Sequence, residues 1–332
     1  MRIYENAQLE LIQECPICRS RAVSRQIRDV EDFAFRNIGG QWVYSLCGDC
    51  SSLYLSPRPR EQHIGLAYQK YYTHGSSGAV SVDAASGASH KSLILRGWAL
   101  LHRFVRWLKP RFSNDLVRKP PGSLLDLGCG NGRLLAEAVR MGWEARGIEI
   151  DETAVKFCRE QGLRVENIGY RDLVEIRDSF DVILCAHVLE HVHYPMELLE
   201  VALSKLRVRG ELWLQWPNPK ADGLALFGRF WRGLEAPRHL TLPSFDAVES
   251  YIRHRFGNDY EVADCSRNWR WSAVGMYSES YLITQGREVK VTPFIYVCTV
   301  LRYLLIRAAI KNPEVCVLVV RRLSTGVQKN DD

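Results

Sequence analysis

The stretch LLDLGCGNGRLL, from Leu124 to Leu135, decides the fold of this chain. It joins an apolar, strand-like run to a helix-like run through three glycines, Gly128, Gly130 and Gly132. Glycine is needed where the backbone turns sharply and where a ligand approaches so closely that a Cβ would clash. The pattern therefore predicts a buried strand, a glycine loop and a helix in succession.

Glu149 supplies the second half of this pattern. It lies 19 residues after Gly130, at the end of the next strand-like run, where a carboxylate can accept both hydrogen bonds of a ribose diol. A nicotinamide-type loop would need glycine where this chain has Arg133, and Asp126 within the strand would repel a pyrophosphate. These residues indicate an adenosine site, with Asp126 near an amino-acid end of the cofactor.

Strand-like runs continue after the glycine loop. SLLDLG, EARGIEI, FDVILCA, ELWLQW and YEVADC alternate with helix-like segments between Ser123 and about Ser266. This alternation is typical of a doubly wound α/β fold with a parallel sheet. A last strand, EVCVLVVRR, is predicted to close the sheet.

These motifs together resemble those of class I S-adenosylmethionine-dependent methyltransferases. The glycine stretch is similar to motif I, GIEID (147–151) to the motif that follows, and FDVILCAHVLEHVHYP (180–195) to the fourth strand and loop of ubiquinone-type and sugar-modifying members. The resemblance implies a Rossmann-like, seven-stranded, mostly parallel sheet that binds S-adenosylmethionine. The cofactor-binding residues implied are Asp126, Gly128, Cys129, Gly130, Asn131, Gly132, Glu149, Ile150, Asp172, Leu173 and His187.

Two cysteine pairs precede this domain, Cys15/Cys18 and Cys47/Cys50, each with a two-residue gap. Residues 1–14 contain no apolar segment of signal-peptide length, so we expect a cytoplasmic protein whose thiols stay reduced. Two C-x-x-C pairs favour one structural Zn²⁺ held by four thiolates, with free or redox-active cysteines as the alternative. Residues 1–59 are therefore predicted to form a small β-rich zinc ribbon.

The segment from Trp42 to His74 resembles the zinc-binding leader of bacterial surface-polysaccharide and deoxysugar methyltransferases, although Ser20 and Ser51 replace glycines of that leader. The resemblance implies that Tyr71 and Tyr72 form part of a lid over cofactor or acceptor, and core aromatics of the leader are the alternative. We expect residues 60–122 to form a helical lid and linker, and 123–332 the catalytic domain. That domain would include an acceptor-side insert (217–243) and a C-terminal helix (293–311).

His239 is the candidate general base. It lies in FWRGLEAPRHLTLPS, after the fifth strand, where loops face the ligand in this fold. Histidine can accept a proton near neutral pH, and a ring that only holds the loop is the alternative. His191 and Arg238 are further candidate substrate residues. Arg238, with Arg229 and Arg232, could clamp a diphosphate, or all three could be solvated.

The expected acceptor is a hydroxyl or carbon of a sugar, nucleotide-linked or lipid-linked, in a polysaccharide or deoxysugar pathway. Quinone or lipid O-methylation is the alternative, and a ribosomal-RNA methyltransferase or non-catalytic scaffold is a more distant one. The formal charge of +6 without clustered basic and aromatic residues gives no reason to expect nucleic acid. An amphipathic helix at 91–109 would pack on the catalytic domain or lie on the inner face of a membrane. The oligomeric state is left open.

Overall fold

The computed structural model describes residues 1–68, 116, 118–264, 273–286 and 311–323. Several predictions concern residues outside these ranges: the lid tyrosines Tyr71 and Tyr72, the helix at 91–109 and nearly all of the C-terminal helix at 293–311. Within the described ranges, no helix has the length and apolar character needed to span a membrane.

The N-terminal part forms antiparallel β-structure. Its strands are β1 (Leu9–Glu10), β2 (Val23–Val30), β3 (Trp42–Cys47), β4 (Leu53–Leu55) and β5 (Arg58–Pro59). β2, β3 and β4 pair side by side, and β1 pairs with β5. We call residues 1–68 the leader; it ends in a 3₁₀ helix, Glu61–Tyr68.

The rest of the chain alternates strands and helices. The strands are β6 (Ser123–Leu127), β7 (Glu144–Ile148), β8 (Val165–Glu166), β9 (Phe180–Ala186), β10 (Leu206–Pro217), β11 (Thr241–Leu242), β12 (Tyr260–Asp264) and β13 (Val315–Arg322). The helices are α1 (Arg133–Arg140), α2 (Glu152–Glu160), α3 (Pro195–Ser204), α4 (Asp222–Phe227), α5 (Phe245–Phe256) and α6 (Ala273–Thr284). The helix starts follow local chemistry: Asp151 caps α2 through the backbone N–H of Thr153, and Ser244 caps α5 through that of Ala247.

Seven of these strands form one sheet, in the order β12-β13-β10-β9-β6-β7-β8. β6 to β10 run parallel, while β13 is antiparallel to both of its neighbours. β6 and β9 are buried along almost their whole length, which explains their continuous apolar sequences. The predicted α/β fold with a seven-stranded, mostly parallel Rossmann-like sheet is confirmed.

Two features differ from expectation. The last strand, β13, does not close the sheet, because it inserts between β10 and β12 and leaves β12 at the edge. The leader sheet gains its fourth strand from the acceptor-side insert: Thr241 and Leu242 of β11 pair with Tyr54 and Leu53 of β4. The two parts also share one apolar core, so the leader is joined to the insert rather than tethered beside it.

Candidate active site

The glycine loop after β6 forms a cradle that excludes side chains. Gly128, Gly130 and Gly132 all have positive φ, at 66°, 54° and 71°. A Cβ on Gly128 would lie 2.6 Å from Cγ2 of Val188, and one on Gly132 would lie 2.6 Å from Cδ1 of Leu163. The loop therefore needs glycine for its backbone conformation and for its close packing.

Glu149, at the end of β7, closes the loop from the neighbouring strand. Its Oε2 accepts the N–H of Gly130 at 2.9 Å, and its Oε1 accepts those of Ile150 and Asp151 at 2.8 and 3.0 Å. Ile150 next to it is 77% exposed, which leaves an apolar surface beside the loop. This places the predicted acid and the glycine loop in direct contact.

Asp126 lies under the loop with only 2% of its surface exposed. Its Oδ2 has no hydrogen-bond partner among the described groups. Burial, and then the charge of Glu149, raise the pKa of this carboxyl to about 7. A buried carboxylate that lacks a partner fits the ammonium of an amino-acid ligand.

The other predicted cofactor residues differ in their exposure to solvent. Cys129 is buried and Asn131 is exposed on the loop. Asp172 is exposed and accepts the N–H of Gly169 at 2.8 Å, so it caps the 3₁₀ helix Tyr170–Glu175. Leu173 is fully buried in the core, so its side chain faces the sheet rather than an open adenine site.

His187 follows β9 with a positive φ of 58°. Its ring is about half exposed, and its Nδ1 lies 3.2 Å from Oε1 of Glu190. Such a conformation is strained for a non-glycine residue and holds the ring at the carboxyl end of the strand. Its predicted place on the methionine side of the cofactor stays a prediction.

Glu190, His191 and His239 form a second cluster, at the segment predicted to face the acceptor. Their ligand-capable atoms all lie within 4.8 Å of one another, close enough to share a proton or bind one metal ion. Glu190 is fully buried, and its Oε2 finds no hydrogen-bond partner in the described part of the chain. Burial opposes its charge, but the hydrogen bond with His187 and the neighbouring histidines outweigh burial and lower its pKa.

His239 is 5% exposed and has a defined tautomer. Its Nδ1 lies 2.7 Å from the carbonyl oxygen of Gly233, which can only accept, so Nδ1 donates and Nε2 keeps its lone pair. Nε2 lies 3.7 Å from Oε2 of Glu235, and the ring packs edge-on against that of His191 at 4.7 Å. Burial lowers the pKa of His239 to about 4, although Glu235 opposes this, so the ring is neutral at pH 7.

Arg238 does not occupy the position expected of a phosphate clamp. Its side chain is fully buried, pairs with Asp32 of the leader, and donates to the carbonyl oxygen of Ala67 at 3.0 Å. Arg232 is 11% exposed and pairs with Glu235. This placement does not support acceptor binding by Arg238, because its charge is already neutralised within the protein.

The four cysteines of the leader converge on one point. The Sγ atoms of Cys15 and Cys50 lie 3.6 Å apart, and those of Cys18 and Cys47 lie 3.5 Å apart. All four lie within 4.8 Å of one another. A tetrahedral ion with bonds of about 2.3 Å to sulfur would separate the sulfurs by about 3.8 Å. The cluster therefore has the size of a four-thiolate metal site.

Comparison with known proteins agrees with this geometry. The family model described as "Methyltransferase domain" matches residues 98–257. A ubiquinone biosynthesis O-methyltransferase of Nitrosococcus oceani is 33% identical over 163 residues, which cover 45% of this chain and 69% of that protein. The chain belongs to the S-adenosylmethionine-dependent methyltransferases. A second ubiquinone biosynthesis O-methyltransferase, from Albidiferax ferrireducens, is 26% identical and covers 59% of this methyltransferase and 88% of its own length.

Solved structures similar to this methyltransferase include two of the same class. A methyltransferase from Archaeoglobus fulgidus has 19% sequence identity and a TM-score of 0.41, and covers 68% of this chain and 92% of its own. The plantazolicin methyltransferase bound to S-adenosylhomocysteine has 16% identity and a TM-score of 0.44, and covers 69% of this chain and 90% of its own.

The structure brings the predicted glycine loop, Glu149 and Asp126 together at the carboxyl ends of β6 and β7. Glu149 contacts the glycine loop through the N–H of Gly130, and Oδ2 of the buried Asp126 has no hydrogen-bond partner among the described groups. These predictions followed from local sequence.

The leader residues of the acceptor side were not predicted. The hydroxyl of Tyr68 lies 2.9 Å from Nδ1 of His191, and Asp32 binds Arg238. No local pattern marks such pairs, since each joins residues more than 120 positions apart.

Proposed function

We propose that this methyltransferase methylates a hydroxyl oxygen, and that the acceptor is a phenolic ring hydroxyl of a quinone precursor. The observation that carries the proposal is the neutral His239, which keeps its Nε2 lone pair and lies in one cluster with Glu190 and His191. The similarity to ubiquinone biosynthesis O-methyltransferases supports the same acceptor class. Sugars were the expected acceptors and quinone or lipid O-methylation was the alternative; the similarity to these relatives favours the alternative.

Bound S-adenosylmethionine supplies an electrophilic methyl group on a sulfonium, which transfers by in-line displacement. His239 Nε2 accepts the proton of the acceptor hydroxyl as the oxygen–carbon bond forms and the carbon–sulfur bond breaks. Gly233 keeps the opposite nitrogen protonated, and the carboxylate of Glu190 favours the positive charge that His239 then carries. Asp126 and Glu149 are the residues that would hold the amino-acid end and the ribose of the cofactor.

The basicity of His239 bears on the choice of acceptor. Burial lowers the pKa of the ring to about 4, so the free ring is a weak base. A phenol, with a pKa of about 10 in the case of tyrosine, releases its proton far more easily than an aliphatic alcohol does. The site therefore suits a phenolic hydroxyl better than an unactivated sugar hydroxyl.

A sugar hydroxyl is the second candidate, favoured by the leader. The Albidiferax relative covers only 59% of this chain, and the four-cysteine leader here contributes β4 to the sheet that carries the acceptor-side strand β11. The sequence of the leader resembles that of surface-polysaccharide and deoxysugar methyltransferases.

We propose further that the four cysteines bind Zn²⁺ in a structural role, because four thiolates leave no open position on the ion. A reducing cytoplasm would keep those thiols free to bind the ion. A peripheral contact of the protein with the inner face of the membrane would suit a lipid-linked acceptor.

The test compares acceptors and variants. Transfer of a radiolabelled methyl group would be measured to 3,4-dihydroxybenzoate, a catechol, and to a thymidine-diphosphate deoxysugar. We expect turnover with the catechol and a loss of about 10²-fold or more in kcat for His239→Gln. His254→Gln, on the exposed face of α5, is the matched control. Full turnover by a His239→Gln protein that binds S-adenosylhomocysteine would exclude the base role, and turnover with the deoxysugar alone would exclude the phenolic acceptor.

A further inference from the structure

The loop from Gly233 to His239 carries the groups that surround the His239 ring. Gly233 provides the carbonyl that fixes the tautomer of His239, and Glu235 provides the carboxylate 3.7 Å from Nε2. Glu235 has a φ of 36°. A residue with a side chain pays conformational energy for positive φ, so the surrounding structure must hold it there.

The leader supplies a hydrogen-bond donor to both ends of this loop. Tyr44, in β3, is fully buried, and its hydroxyl lies 2.6 Å from the carbonyl oxygen of His239. The same hydroxyl also contacts the carbonyl oxygen of Leu234. Because both carbonyls can only accept, the single hydroxyl proton of Tyr44 is shared between them.

A second leader group holds the adjacent residue. The carboxylate of Asp32 pairs with the guanidinium of Arg238, which also donates to Glu235 at 3.1 Å. The backbone N–H groups of Asn37 and Ile38 bond to Asp32 at 2.9 and 3.2 Å and fix its orientation. The backbone and the side chains of the loop are thus both held by the leader.

We infer that Tyr44 and Asp32 of the leader are positioning residues, which together hold the loop of His239 and thereby set the orientation and tautomer of its ring. Tyr44 contacts the carbonyl oxygens of Leu234 and His239, so it acts on the loop that carries the His239 ring. The leader therefore takes part in the active site, beyond any role of its metal in folding. The catalytic consequence rests on the proposed function of His239, whereas the positioning itself does not.

Tyr44→Phe removes one oxygen and leaves the ring that packs in the shared core. Tyr54→Phe is the matched control, because Tyr54 is equally buried in the neighbouring strand β4 and its hydroxyl bonds to Ser45 within the leader. Asp32→Asn, which weakens the pair with Arg238 at constant shape, is a second variant should Tyr44→Phe fail to fold. Thermal unfolding and calorimetric binding of S-adenosylhomocysteine would report folding and the cofactor site.

The direct readout is the ¹⁵N spectrum of histidine-labelled protein, with His239→Gln used to assign the signal. We expect wild type and Tyr54→Phe to show His239 protonated at Nδ1, and Tyr44→Phe to show a mixture of both tautomers. The kcat with 3,4-dihydroxybenzoate should fall at least tenfold in Tyr44→Phe, with the affinity for S-adenosylhomocysteine within twofold of wild type. An unchanged Nδ1–H tautomer in folded Tyr44→Phe, or in Asp32→Asn if that variant must replace it, would overturn the inference. A tautomer change without loss of kcat would uphold the positioning and instead refute the base role of His239.

Discussion

We expect the buried carboxyl of Asp126 to make cofactor binding depend on pH. Its pKa of about 7 in the ligand-free protein means that the group is mostly protonated below neutral pH. Because the ammonium of S-adenosylhomocysteine pairs with the carboxylate form, the apparent affinity falls by the factor 1 + 10^(pKa − pH). That factor is about 100 at pH 5 and about 1.3 at pH 7.5. The expected weakening is on the order of 80-fold, or about 2.6 kcal/mol.

Calorimetric titration with S-adenosylhomocysteine between pH 5 and 7.5 measures this directly. Asp126→Asn should bind weakly and with little dependence on pH, since an amide does not titrate in this range. Asp246→Asn, which removes an exposed carboxylate on α5, should keep the wild-type dependence. The reasoning is refuted if wild-type affinity is flat across the range, or if Asp126→Asn retains the slope.

The same pKa has a consequence for stability without ligand. A carboxyl whose pKa is raised from 3.8 to about 7 binds more protons in the folded than in the unfolded state between these values. The contribution of Asp126 to the free energy of unfolding therefore decreases as pH rises from about 4 to 7. Added S-adenosylhomocysteine should offset this loss, so the ligand-induced rise in Tm should increase with pH.

Two further outcomes are expected. In calorimetry, Gly128→Ala should weaken S-adenosylhomocysteine binding at least tenfold. The positive φ at this position costs alanine about 1–2 kcal/mol, and the added Cβ would lie too close to Val188. Gly65→Ala is the control, because a Cβ there meets no other atom, and it should bind normally. Cys15→Ser should lower the zinc content, measured by mass spectrometry, from about one ion per chain and lower the Tm, whereas Cys185→Ser should keep its zinc. Full zinc content in folded Cys15→Ser would show that Cys15 is not needed to bind the ion.

The strand, the glycine loop and its contact with Glu149 could be predicted from the sequence because their determinants are local. The residues before Gly128 form a buried strand, and a parallel strand that is buried on both faces has a nearly continuous apolar sequence. The glycine spacing and Glu149 follow within about 20 residues. Each cysteine pair is also a local pattern, because a gap of two residues lets both thiolates bind one ion.

The acceptor half could not be predicted because its contacts are long-range. β11 has only two residues, Thr241 and Leu242, too few for any periodicity to indicate a strand. Arg238 was expected at a phosphate or in solvent because arginine is rarely fully buried unless it is paired. Its partner, Asp32, lies 206 positions earlier, and no spacing rule connects them.

Local contacts shape the glycine loop, whereas long-range contacts with the leader hold the loop of His239. Residues after position 122 build the glycine cradle, whereas the leader holds the loop of His239 through Tyr44 and Asp32. Disturbing the leader should therefore reduce turnover before it reduces cofactor affinity. Gradual chelation of the Zn²⁺ proposed at the four cysteines offers a test: kcat should fall while the dissociation constant of S-adenosylhomocysteine stays constant. A parallel loss of both quantities would mean that the leader also supports the cradle.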